Sequence, residues 1–272
     1  MKPCAIKPFL VSDRHRPLGK LAPKRDRRTL KLSHYVHKVD IPVEPRADWR
    51  ARGVISSWPM FLNDKIGCCT IASGAHMIEA WSASARGLEA DITEADVLAA
   101  YEEACGYDPA DPTSDQGGVE IDVLNYWRKV GIGGHKIGAY ASINPDDPDM
   151  IRRAIALFGG VYTGFALPLS AQDQPVWKSP VRGTRGHGAP GSWGGHAVPI
   201  QAYDPHLLTC ITWGGEKAMS WQFLADYCDE VYAIISPDFL RGSRMAPNGF
   251  DVAKLVADLT VIAETPPLPA SI

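Results

Sequence analysis

Asn63-Asp64-Lys65-Ile66-Gly67-Cys68-Cys69-Thr70-Ile71-Ala72-Ser73 is the stretch where an irregular segment turns into a helix. Residues 70–84 contain Ala72, Ala75, Ile78, Glu79 and Ala80 and no proline, which predicts a helix. Gly67 ends what comes before, so two thiols stand at or just before the first helical turn. The first N–H groups of a helix lack internal partners, and the dipole there favours negative charge. A cysteine at that point has its thiolate stabilised, and the thiolate is the nucleophile. Two small cysteines packing a helix start into a core would give the same local pattern.

A second stretch separates these readings. Gly194-Gly195-His196-Ala197-Val198-Pro199-Ile200-Gln201-Ala202-Tyr203-Asp204 reads as a strand entered through two glycines, and Ile211-Thr212-Trp213-Gly214-Gly215 as the end of the next. A helix-start cysteine followed roughly 130 residues later by a strand histidine is the spacing of papain-like cysteine peptidases. Gly67-Cys68-Cys69-Thr70-Ile71-Ala72-Ser73 resembles that family's Gly-Ser-Cys-Trp-Ala-Phe-Ser, which makes Cys69 the nucleophile. Gly195-His196-Ala197-Val198 resembles its Asn/Asp-His-Ala-Val, and Thr212-Trp213-Gly214 the end of its Asn-Ser-Trp-Gly. Asn63 stands six residues before Cys69, where the family has its oxyanion-hole glutamine. Gln116-Gly117-Gly118 resembles the segment whose backbone lines the family's substrate cleft.

The resemblance spans about residues 58–237. It implies an α+β, papain-like two-lobed fold. A helical left half would hold residues 70–130, and a right half of antiparallel strands residues 161–235. It implies a domain over residues 46–240, flanked by a basic arm (1–45) and by a C-terminal helix with a Pro-rich tail (241–272). A leading Lys/Arg-Pro arm and the Thr-Trp-Gly ending resemble prophage-type members of the family.

Composition agrees with a globular chain. At 272 residues it can bury a sizeable core. No run of eighteen apolar residues exists, so no membrane span is expected. Residues 1–10 are basic but lack an apolar stretch and a small-residue cleavage site, so no signal peptide is read and a cytoplasmic or virion-associated chain is expected. Cys4, Cys68, Cys69, Cys105, Cys210 and Cys228 show no framework spacing and no CxxC pair, which predicts neither disulfides nor a zinc site; no metal and no cofactor is expected. Asp108, Asp111 and Asp115 lack the spacing of an EF-hand loop and read as turn formers beside proline.

Charge is uneven. Residues 1–40 hold 11 Lys/Arg against 3 Asp/Glu, or +8, so with −3 overall the remainder carries −11. Leu18, Leu21, Leu30, Leu32, Tyr35 and Val36 give the arm apolar anchors. An arm lying on its own body or on a neighbouring subunit is expected. With few aromatics to interleave, nucleic acid is not the favoured partner. Thr93 caps a short helix over 93–101, Gly131 closes one over 119–130, and residues 150–158 form a third behind an Asp-rich cap. Residues 160–167 and 231–235 read as strands, 220–227 as a helix, and 250–263 as a C-terminal helix. The long Gly/Pro/Ser loop 170–195 runs into His196 and is expected to wall a cleft.

Thiol acyl transfer needs a nucleophile, a base that doubles as acid, an oxyanion hole and a group that orients the base. By the resemblance these are Cys69, His196, and the Asn63 amide with the Cys69 N–H. Gly117, Gly118 and Trp213 would contact a protein or peptide substrate. The orienting group departs from the pattern: two residues before Trp213 the family has Asn and this chain has Ile211. Strand alternation places Ile211 on the face of Trp213 and Thr212 on the other, so Thr212 would orient His196 only after a slip of one. Cys68 and His76 read as packed structural residues, and His187 and His206 stand in no motif. Two functions fit: a Cys-His peptidase or amidase of reduced activity, or a non-catalytic papain-fold component of a phage particle or other assembly.

Overall fold

The structure is a computed structural model, and it describes residues 16–24, 26, 29–36, 43–181, 183–237 and 239. The expected helix over 250–263, the Pro-rich tail and the first fifteen residues of the arm lie outside the described residues.

One half is helical. Helix α1 (Cys69–Arg86) is buried from Cys69 through Ala83, because small residues let its neighbours close on every side. Helix α2 (Glu94–Cys105) starts with a capping box in which the Thr93 hydroxyl accepts from Asp96 N–H and Asp96 accepts from Thr93 N–H. Helix α3 (Glu120–Lys129) packs beside them and turns Trp127 into the core. Helix α4 (Pro148–Phe158), capped by Asp147, and α5 (Trp221–Tyr227), capped by Ser220, lie against the sheet.

The other half is a sheet of order β2-β8-β3-β5-β6-β7-β4, with β1 (Ala47–Asp48) pairing β5 off this path. Its strands are β2 (Ala139–Ile143), β3 (Val161–Leu167), β4 (Val176–Trp177), β5 (Gly194–Tyr203), β6 (Leu207–Thr212), β7 (Gly215–Ser220) and β8 (Cys228–Ile235). Every pairing is antiparallel except β4 with β7. Between β3 and β8 the register shifts: Gly164 faces Glu230 but Phe165 faces Cys228, so Asp229 is the inserted residue of a bulge.

The sequence reading of loop 170–195 as a cleft wall omitted β4, and it omitted β2 and β7 altogether. The loop's Trp177 is fully buried against Phe223 and Trp213, which ties it to the sheet. In the arm, Leu32, Tyr35 and Val36 are buried, but Leu21 is 42% exposed and does not anchor it. The residue that goes inward is its neighbour, Lys20. Among the described residues no helix is long and apolar enough to cross a membrane.

Candidate active site

Cys68 is the N-cap of α1 and Cys69 its first helical residue. Their thiols part company. Cys68 Sγ turns back to donate to Phe61 O at 3.2 Å, which pins the loop carrying Asn63. Cys69 Sγ points across to the sheet, where the Ala197 N–H donates to it at 3.4 Å. The thiol therefore lies against the peptide that joins His196 to Ala197. Asn63 is buried, and its Oδ1 has no partner among the described residues. It stands just after Phe61 and Leu62, which both take positive φ, 53° and 61°, in the tight turn before the helix.

His196 is held on two sides. Its Nε2 lies 2.8 Å from Thr212 Oγ1, and its ring stacks on Trp213 with centroids 4.4 Å apart. The alternation expected for Ile211, Thr212 and Trp213 fails for a local reason. Strand β6 ends at Thr212, and Trp213 takes a φ of 44°, so the chain turns between them. Both side chains then reach the same imidazole, while Ile211 is buried in the sheet. Strands β5 and β6 are also shifted by one residue against each other between Ile200 and Ala202, so the slip on which Thr212 depended is present in the pairing. His196 Nδ1 has no hydrogen-bond partner among the described residues.

The wall opposite is braced by a network. Asp115 accepts from Gly67 N–H at 3.0 Å and from Tyr101 OH at 2.6 Å, and Tyr101 OH accepts from Gly117 N–H at 2.9 Å. Asp111 and Asp108 accept from the Thr113 and Ala110 N–H groups in the same loop. The three aspartates are thus used as loop braces, and no cluster of metal-ligating residues is present among the described residues. His76 is packed: its Nε2 donates to Pro59 O at 2.9 Å, and burial depresses its pKa to about 4.

The cleft between Gly118 and Gly195 is filled by the chain itself. Residues 18–21 run through it, pairing parallel to Gly118. Gly118 N–H donates to Gly19 O at 2.7 Å, Leu21 N–H to Gly118 O at 2.9 Å, and Lys20 N–H to Gly195 O at 3.0 Å. Glycine is required here by space. A Cβ on Gly19 would stand 1.7 Å from Gly67 O, and one on Gly195 2.0 Å from Lys20 O. Gly195 occupies the position of the resemblance's Asn/Asp, and its missing side chain is what lets the arm lie flush.

Burial sets the electrostatics of the pair. Burial drives the Cys69 thiol up to about 11, against which hydrogen bonds from the Ala197 and Gly19 backbone work in the other direction. Burial pushes His196 down to about 3. Both groups are fully buried, and a neutral thiol beside a neutral imidazole is the resulting state. Beside them, Lys20 Nζ lies 3.0 Å from Asp229 and 3.2 Å from Glu230 Oε1, in a pocket that also holds Glu120. No sequence motif pointed to Lys20, Glu120, Asp229 or Glu230. The +8 of the arm against the −11 of the body was their only trace.

Comparison with family models gives no match, and comparison with curated protein sequences gives none. Solved structures do match. Xylellain, a cysteine protease from Xylella fastidiosa, superposes with TM-score 0.62 at 14% identity, over 84% of this chain and 99% of that one. Digestive procathepsin L 3 of the Tenebrio molitor larval midgut gives 0.55 at 12% identity, over 82% and 77%. The Carica candamarcensis cysteine protease CMS1MS2 gives 0.51 at 14% identity, over 71% and 99%. At these identities the likeness concerns the fold, and with the helical half, the antiparallel sheet and the cleft between them, it establishes that the chain has the papain-like cysteine-protease fold.

Proposed function

We propose that this chain is a thiol peptidase or amidase whose nucleophile is Cys69 and whose base is His196, resting with residues 18–21 across its cleft. The observation that carries this reading is the meeting of three elements at one point. The start of α1 brings Cys69 to the His196–Ala197 peptide, and the end of β6 brings Thr212 to the far nitrogen of the same imidazole.

With the arm displaced, water and substrate reach the pair, and the proton passes from Cys69 Sγ to His196 Nδ1. The thiolate sulfur then bonds to the substrate carbonyl carbon. The oxyanion that forms is met by the Cys69 N–H, which as the first helical residue has no intrahelical acceptor, and by the Asn63 amide. The carbon–nitrogen bond breaks as His196 Nδ1–H gives its proton to the leaving amine. Water, deprotonated by the same imidazole, releases the acyl group from sulfur. Thr212 and the Trp213 ring hold the imidazole throughout. Thr212 thereby fills the role the missing Asn left open.

A second reading is favoured by the burial of the dyad. A chain whose arm never leaves the cleft is a papain-fold structural or binding component, for instance of a phage particle. Hydrolysis separates the two. Gly19→Val, which the space at Gly67 cannot accept, is compared with wild type and with Gly19→Val/Cys69→Ala on a fluorogenic peptide library. Turnover in Gly19→Val that vanishes with Cys69→Ala is expected. No turnover in any of them, with the cleft shown open by thiol titration, supports the non-catalytic reading.

A further inference from the structure

The pocket that receives Lys20 is built for a positive charge. Its carboxylates come from distant parts of the chain: Glu120 opens α3, and Asp229 and Glu230 sit at the bulge of β8. The bulge matters because in a regular strand neighbours point to opposite faces, whereas here both acids reach one ammonium, at 3.0 and 3.2 Å. Tyr232 OH donates to Glu230 Oε2 at 2.8 Å and fixes that carboxylate. Glu120 is fully buried, and neither of its oxygens has a hydrogen-bond partner among the described residues. A buried carboxylate without a donor is costly unless a cation or proton compensates it.

The depth fits as well. Gly164 floors the pocket in β3, and a Cβ there would stand 2.0 Å from Lys20 Cε and 2.7 Å from Glu120 Oε1. Any side chain at 164 would shorten the pocket below the reach of a lysine. The pocket opens on the strip of backbone where the arm pairs with Gly118 and Gly195, next to the thiol. An extended peptide on that strip would present a side chain to the same place.

We propose that this acidic pocket is a side-chain-selecting subsite that takes a basic residue, lysine foremost, of a peptide bound along Gly118 and Gly195, and that Lys20 is its resident occupant. The proposal rests on the peptidase reading for its use in catalysis, but the recognition itself is a binding property. Three carboxylates facing one cation leave no other ready partner when Lys20 withdraws. An apolar or acidic side chain would leave Glu120 and Glu230 buried without a cation, whereas Asp229, whose side chain is 30% exposed, keeps contact with water. Lysine should therefore be preferred over leucine at least about tenfold, a difference of about 1.4 kcal/mol.

The test uses the full chain carrying Cys69→Ala, so that binding is read without turnover, in Lys20→Ala and in Gly19→Val/Lys20→Ala forms. The probes are Ac-Pro-Leu-Gly-Lys-Leu-Ala-NH2 and its Lys→Leu and Lys→Glu versions, titrated by calorimetry. The expected result is tenfold or tighter binding of the lysine peptide, and loss of that preference when Glu230→Gln and Glu120→Gln are added. Equal affinity for the lysine and leucine peptides overturns the subsite. A Lys20→Ala arm that still covers the cleft and excludes every peptide overturns it too, because charge would then not be what seats that residue. Selective lysine binding without hydrolysis in the Cys69-containing forms would sustain the subsite and count against the peptidase reading alone.

Discussion

Gly19 and Lys20 are neighbours, yet they cover two sites that respond to burial in opposite ways. Under Gly19, the Cys69–His196 pair loses its charge: burial raises the thiol to about 11 and lowers the imidazole to about 3. At Lys20 the ammonium is equally sheltered, and burial works against its charge. Glu120, Asp229 and Glu230 outweigh that cost and leave its pKa above the ordinary value. The difference lies in what meets each group. Dehydration suppresses an ionisable group that has no fixed counter-charge and spares one whose partners are already in place. The arm thus meets a charged pocket at Lys20 and lies against a neutral pair at Gly19.

The largest expected effect comes from separating the two. Gly19→Val forces the arm off Gly67 and rehydrates the dyad. A thiol returning from about 11 toward its ordinary 9.0 gains about 100-fold in thiolate fraction at pH 7, since both values lie well above that pH. Alkylation of Cys69 by iodoacetamide should accelerate by about that factor, and its pH midpoint should move down by about two units. Unchanged kinetics would mean that the arm does not govern the thiol.

A smaller effect tests what holds the imidazole. In the Gly19→Val background, Thr212→Val removes the partner 2.8 Å from His196 Nε2 without changing the shape of the site much. Turnover should fall about 10- to 100-fold, with Thr212→Ser close to the parent. A Val variant as active as its parent would leave the Trp213 stack as the sole orienting contact.

The smallest concerns a buried acid. Glu79 is raised from 4.5 to about 8 by burial, with Glu89 adding to it. The folded chain therefore keeps this proton up to about pH 8, whereas the unfolded chain releases it near 4.5. Stability from this group is fully present below 4.5 and is lost as pH rises to about 8. Glu79→Gln cannot ionise, so its melting temperature should match wild type at pH 4 and exceed it by on the order of 5 °C at pH 8. Parallel melting curves against pH would show that Glu79 has a partner in solution.

Much of the frame was legible in the sequence because it is local. A glycine before two cysteines, a proline-free run after them and a Gly-Gly-His strand each carry their own signal. The fold and the approach of Cys69 to the His196 strand follow from that order. Thr212 could be named as the orienting residue only conditionally, because plain strand alternation foresees neither the register shift between β5 and β6 nor the turn where Trp213 adopts a φ of 44°. Strands β4 and β7 were missed because they are short or polar: Gly215-Glu216-Lys217-Ala218-Met219-Ser220 shows little β preference until it pairs with β6. The Lys20 pocket had no local signal. Residues 20, 120, 229 and 230 meet only in the folded chain, and a bulge is needed to aim two adjacent acids at one ammonium. The reading of leucines as the arm's anchors failed at Leu21 for the same reason: which side chain turns inward was set by the charge of the cavity.

The most direct measurement is to map, by peptide mass spectrometry, where a thiol-directed epoxide attaches at pH 7 in wild type and in Gly19→Val. If Cys69 is the nucleophile beneath the arm, wild type labels sparsely and Gly19→Val gives a single dominant adduct on Cys69, with Cys68 held unreactive by Phe61 O and by burial. A dominant adduct on Cys68, or an opened cleft in which Cys69 reacts no faster than Cys105, would contradict that assignment.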